Sequence, residues 1–338
     1  MRASSAVLTD TSIRLWDLVF PSARPLMQRT RAAYVHLDNL IAYSKRDRDA
    51  KVDAYLACYR PDETILLFFQ RGELANAAVL APAGRFAVAL GEALQHVRAE
   101  PERAEVAFHA APAGQLAAMY ACCAQPPQDL GLDPSNPDVM FKGLAQSQWT
   151  GLLELIAANH ASYVRVGGGR FLSGHFADMK EGEDARSAMA HIFAGRPGEP
   201  KPKVSIRAVP GLDALPPQAS PALIQVFRAF VWDLGDLAER EMPGEGAKRA
   251  EKSRTRLSGE HTALRGVGGE RGTEAADPIC EPQQLSDAVA SWAKDFLGEL
   301  EIMHPGIAAR LVREAGREQR YALGAVGFFE KLPWRIEW

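Results

Sequence analysis

No run of about eighteen consecutive apolar residues, the length that crosses a bilayer, occurs in this 338-residue chain. A membrane-spanning helix is therefore not expected. Cysteine is scarce: Cys58, Cys122, Cys123 and Cys280 show no Cys-x-x-Cys spacing, and the adjacent pair is badly placed to bridge itself. They read as reduced, mostly buried thiols of a cytoplasmic protein. A surplus of either charge is missing too. The 39 Lys and Arg stand against 42 Asp and Glu, a net charge of −3. That excludes the electrostatic footprint of a nucleic-acid partner or an anionic membrane surface. The first residues, MRASSAVLTDTSIRLWDLVF, hold no apolar core of signal-peptide length, and Asp10 interrupts them early, which again points to the cytoplasm.

Motifs for chemistry are also lacking. There is no G-x-S-x-G elbow, no H-x-H or H-E-x-x-H spacing, and the eight histidines are scattered. The Gly167–Gly169 run leads into FLSGHF, which reads as a strand. A phosphate loop must instead open a helix whose N–H groups face the anion. The run is therefore expected to be a hairpin turn. His175, with Ser173, reads as a solvated strand face rather than a metal ligand, and His160 is expected near it. No catalytic, cofactor-binding or metal residue is assigned, and no cofactor is expected.

What is present is an internal repeat. With Gly72 laid on Gly169, 97 positions on, AYLACYRPDETILLFFQRGELANAAV matches GLLELIAANHASYVRVGGGRFLSGHF by residue type. One further position of offset lays AEVAFHAAP (104–112) on PKVSIRAVP (202–210). Each copy is expected to open with a helix, after Asp38 in the first and after Ser135 or Asn136 with Pro137 in the second. Hairpin strands follow, with Gly72 and Gly169 as turn glycines. Then comes a second helix (Phe86, Leu90, Ala93, Leu94 and Val97; Ala185, Ala188, Met189, Ile192 and Phe193), and a last strand ends at Pro112 or Pro210. The fold class is α+β: two tandem helix–β-hairpin–helix–strand repeats with a small all-helical C-terminal module.

HLDNLIAYSKRDRDAKVDAYLACYRPDETILLFFQRGELANAAVL, and in the second copy TGLLEL, YVRVGGGRFLSGHF, EGEDARSAMAHIF and PKVSIRAV, resemble the PATAN (PatA N-terminal) domain of bacterial signalling proteins. The resemblance spans about residues 31–125 and 130–212. It departs from the family pattern in the first copy, at Ala50 or Lys51 where the family has Gly, and at APAGRFAVAL where the family has an acidic helix start. It implies a non-catalytic regulatory or adaptor protein working through protein contacts. The implied partners are a response regulator or, if the helix–hairpin–helix units are roadblock-like, a small GTPase. An enzyme with an unrecognised site at the repeat junction is the alternative of another class.

The expected domains are an N-terminal segment (1–30), repeat one (31–127), repeat two with a trailing helix (128–240), a disordered linker (241–283) and a helical C-terminal module (284–338). The linker follows from a Gly-, Lys-, Arg-, Glu- and Ser-rich composition with few large apolar residues. Leu66 and Phe68 make both faces of their strand apolar, where the second copy has Arg165 in place of Phe68. Their cover is expected from the N-terminal segment, the C-terminal helices or a second subunit in a homodimer. Phe328, Phe329, Trp334 and Trp338 are the other candidate contact residues.

Overall fold

The structure, a computed structural model, describes residues 14–45, 52–180, 182–198, 200–268, 271 and 275–338. It is α+β, with two antiparallel sheets. The chain divides into two compact units, Met1–Val88 with Ala93–Pro216 and Ala89–Glu92 with Pro217–Trp338.

The first unit contains, in order, β1 (Arg24–Arg31), α1 (Leu37–Ser44), β2 (Ala54–Tyr59), β3 (Thr64–Gln70), β4 (Glu73–Ala81), β5 (Gly84–Ala87), most of α2 (Leu90–Arg98), β6 (Glu105–Ala110) and α3 (Ala113–Ala124). It continues with α4 (Pro137–Gln146), β7 (Gly151–Ala157), β8 (His160–Gly167), β9 (Arg170–Phe176), α5 (Ala185–Ala194) and β10 (Val204–Val209). One sheet has the order β1-β6-β2-β3-β4-β5, the other β10-β7-β8-β9.

The helices start where local chemistry allows. Asn136 caps α4 by accepting from the Val139 amide, with Pro137 in the first turn, and Asp184 caps α5 by accepting from Arg186 and Ser187. Helix α1 instead begins at Leu37, so Asp38 lies in its first turn and not at its cap. Phe86 belongs to β5 rather than to the second helix.

Every residue of β2 is buried, as is all of β3 except Gln70, which requires cover on both faces. The cover on one face is α3, which sequence periodicity did not reveal. Its residues from Gln115 to Cys123 are all buried, because AGQLAAMYACCA has no polar face to turn to water. Helix α3 contacts β4 and β5 of one sheet and β7, β8 and β10 of the other. Tyr55, Leu66, Phe68 and Ala107 of the first sheet and Leu152, Tyr163 and Val209 of the second share its cluster. The cover of Phe68 is therefore intramolecular, and it is α3: the Phe68 and Tyr120 rings meet edge to face with centroids 5.9 Å apart. Leu15, Leu18 and Phe20 of the N-terminal segment join the same cluster.

That segment is more than a cover. Val19 donates to the Asn159 carbonyl (2.8 Å) and accepts from the Ala161 amide (2.9 Å), while Thr64 Oγ1 donates to the Leu15 carbonyl (3.0 Å). It is thereby pinned to both sheets. On the far face of the second sheet, Leu153, Leu155, Val164 and Val166 pack with Met140 and Leu144 of α4 and Ala188 and Phe193 of α5.

The second unit corrects the expected linker. Its elements are α6 (Pro221–Glu241), α7 (Gly246–Leu257), α8 (Pro282–Met303), α9 (Ile307–Ala315) and α10 (Arg320–Ala325). The supposedly disordered stretch contains α7, which buries Ala250, Ser253 and Leu257. Small residues let its backbone approach α8, and the Trp292 indole donates to the Ala250 carbonyl (2.9 Å). The buried Arg228 of α6 holds the Gly266 carbonyl (2.8 Å), the Ala275 carbonyl (2.6 Å) and the Asp277 carboxylate (3.0 Å). Residues 269, 270 and 272–274 of the expected linker lie outside the described residues. The trailing helix α6 belongs to this helical unit rather than to the sheets.

Gly72 and Gly169 occupy the two hairpin turns at φ of +79° and +72°. Each turn sits hard against the end of a helix: a Cβ would fall 2.4 Å from the Ser44 carbonyl oxygen at Gly72 and 2.3 Å from Ala145 Cα at Gly169. Gly169→Ala is expected to destabilise the protein by more than the ~1–2 kcal/mol of a left-handed residue, because backbone must also move. Gly143→Ala, on the open face of α4, is expected to stabilise it by ~0.5–1 kcal/mol. Denaturant midpoints of the two variants provide the check.

Candidate functional site

The residues singled out from the sequence separate into three environments. Leu66, Phe68 and Phe328 are enclosed by the chain itself, so they are corrected from contact residues to core. Phe328 lies between Phe227 and Phe230, with ring centroids at 5.6 and 4.9 Å. Phe329 and Trp334 are partly buried against the same core. Trp338 alone is largely open, at 52% exposure, with its ring 5.0 Å from that of Phe329.

The densest cluster of reactive groups lies inside the first unit and was not foreseen. Arg85 of β5 pairs with Glu154 of β7, and both are buried. Cys122, Cys123 and Tyr163 surround them. Burial pushes the Cys123 thiol up to about 12 and holds Cys122 and Tyr163 well above their ordinary values, with the nearby Glu154 carboxylate adding to each. Neutral, enclosed thiols are poor nucleophiles, so this cluster is structural. The opening beside α3, between Tyr163, Arg165, Ser173 and His175, measures only about 40 Å³, room for a water and not for a substrate. Glu154→Gln alone is expected to cost ~3–5 kcal/mol by removing the charge that Arg85 pairs with, while Arg85→Met with Glu154→Leu costs less than the sum of the singles. Urea unfolding of the three variants measures the coupling.

Two features of the second sheet face outward. The first is the edge strand β9. Arg170 to Ser173 are exposed there, Phe171 at 42% and Leu172 at 59%. The matching strand β4 of the first sheet has β5 alongside it, with Val79 opposite Phe86 and Leu80 opposite Arg85. Among the described residues, no strand pairs with the outer edge of β9.

The second feature is a cavity of about 510 Å³ between the β7–β8 turn, the end of β9, α5, Gly195, Arg196 and residues 200–202. Its apolar wall includes Ala157, Phe176, Ala188 and Ile192, and its polar wall includes His160, Ser162 and His191. A fixed ion network supports the rim. Arg196 contacts Asp178 Oδ2 at 3.2 Å and Glu183 Oε2 at 3.3 Å, and Glu183 Oε1 lies 2.7 Å from His191 Nδ1. The Lys180 amide first, and His191 and Arg196 after it, keep the Glu183 carboxyl below the usual carboxylate range. Among the described residues, no three or more His, Cys, Asp or Glu side chains are grouped closely enough to hold a metal ion. His160 and His175 line different cavities, so the two do not form one site. His160, Ala188 and Ile192 are marked in the sequence, but not as one site, because an Asp-Glu-His-Arg set spread over residues 160–201 has no short-range spacing.

A third cavity, about 740 Å³, is bordered by Tyr321, Phe329, Trp334 and Trp338 of the helical unit. Comparison of the chain with protein-family models, with curated proteins and with solved structures returns no match. Removing residues 333–338 is expected to leave the helical unit folded with a slightly lower melting temperature. Removing 328–338 is expected to abolish its cooperative unfolding by taking Phe328 out of the core. Circular dichroism melts distinguish the two truncations.

Proposed function

We propose that this chain is a non-catalytic regulatory or adaptor protein, built from two PATAN-like repeats, that works by receiving an extended segment of a protein partner on β9. The single observation that carries the reading is the open edge. A strand edge with no strand beside it among the described residues, carrying exposed Phe171 and Leu172, is suited to strand addition, which supplies main-chain hydrogen bonds and side-chain pockets together. The first sheet indicates what fits: a short strand, GRFA of β5, lies along the matching edge of β4.

The repeat reading has support in the registers. Ala54 pairs with Phe69, and 97 positions on Gly151 pairs with Val166. The register slips between Phe68 and Phe69 in one hairpin and between Arg165 and Val166, the matching step, in the other. The last strands depart from this. Leu56 faces Phe108, but Leu153 faces Ala208 rather than the sequence-matched Ile206. The slip is two residues, which keeps the same side chains on the same face. A signalling partner, such as a response regulator, follows from the PATAN resemblance alone.

Leu172→Lys tests the edge, since a charge there disfavours strand addition without touching either core. The expected result is an unchanged melting temperature together with loss of the partner recovered by affinity purification from the native host. A partner retained at wild-type level overturns the reading. A dimer of the purified chain that the substitution converts to monomer replaces the adaptor with self-association.

A further inference from the structure

We infer that the cavity between the β7–β8 turn and α5 is a binding site for a neutral, largely apolar small molecule that donates hydrogen bonds, of the phenol class. The inference does not rest on the adaptor reading. A volume of about 510 Å³ lies within the range of small-molecule sites, and the walls combine a broad apolar surface with few polar groups, as such sites do.

The polar groups define the ligand. His160 Nδ1 lies 2.9 Å from the Ala158 carbonyl oxygen, which can only accept, so that nitrogen carries the proton. His191 Nδ1 is set in the same way by the Glu183 carboxylate at 2.7 Å. With Nδ1 held by a protein oxygen in each case, Nε2 is the nitrogen left for a ligand, and in the neutral ring it accepts. Two imidazoles on one cavity, each with Nδ1 already bound to a protein oxygen, call for a ligand that brings donors.

Charge argues against an ion. Arg196 is committed to Asp178 and Glu183, and Lys201 stands at the rim. Two cations against two carboxylates leave the site without a net charge to attract an anion or a cation. Phe176 and Ile192 supply the apolar contact that a hydrocarbon ring needs. Ser162, which both donates and accepts, adds a third polar point on the wall.

The probe is 2-naphthol, compared with 2-methoxynaphthalene, which has nearly the same shape and no donor. Isothermal titration of the full chain at pH 7.5 is expected to give one site for 2-naphthol and binding about fivefold weaker for the ether. His160→Phe and His191→Phe are each expected to reduce that preference, and Ile192→Trp to remove binding of both compounds by filling the space. Circular dichroism establishes that each variant is folded. His160→Phe, at the exposed turn, keeps the test decisive if Ile192→Trp does not fold. Absence of 2-naphthol binding, equal affinity for the ether, or a preference that survives both histidine substitutions overturns the assignment. Leu172→Lys is expected to leave 2-naphthol affinity unchanged, so failure of the site and failure of the strand-addition reading are separately visible.

Discussion

A helix made of Ala, Leu, Met, Tyr and Cys cannot meet water on any side without exposing apolar surface, and α3 is such a helix. Its few polar atoms are answered from within. Gln115 donates to the Pro21 carbonyl, and Tyr120 hydrogen-bonds with Asn76. Two sheets must therefore enclose it. Small residues along α3 let both sheets come close, and the Arg85–Glu154 pair crosses between them beside its C-terminal end. A buried ion pair contributes little net stability against a hydrophobic replacement. Its value here is in register: a guanidinium and a carboxylate must meet, so β5 and β7 have one relative placement.

The same enclosure explains why the two sheets end differently. The first carries an additional strand at each side, β1 on β6 and β5 on β4. The second has isolated bridges, Gln128 to Ala208 at β10 and Val19 to His160 at the start of β8, and among the described residues no strand pairs with the outer edge of β9. In the first sheet the β4–β5 turn brings Arg85 to Glu154. In the second sheet Asp178 and Glu183, which lie between β9 and α5 in the chain, join Arg196 at the rim of the cavity.

Much of this architecture was legible in the sequence, and the exceptions have physical causes. Alternating or continuous apolar runs marked β2, β3, β7 and β8, and a Pro after a capping side chain marked α4. Helix α3 escaped because periodicity needs contrast, and a helix buried all round has none. Helix α7 escaped for the opposite reason. Half of its twelve residues are charged, and what holds it is tertiary: Ala250 against Trp292, and Ser253 hydrogen-bonded to Asp295 at 2.5 Å. Phe68 was rightly read as covered, but by a segment that had not been recognised as an element. The cavity was invisible because its residues are brought together by the turn, the sheet end and α5, and not by spacing along the chain.

The position of α3 in the chain has a consequence for biogenesis. The helix follows β6 directly, yet half of its cover lies in β7, β8 and β10, which end at Val209. On a ribosome adding about 5–20 residues per second, α3 emerges several seconds before that cover exists. The first sheet therefore cannot complete its fold as an independent N-terminal domain. It waits, with an apolar helix exposed, for the second sheet to arrive. The two halves of the first unit, however alike, form one cooperative unit, and the interval between them is when this chain is most exposed to misassociation.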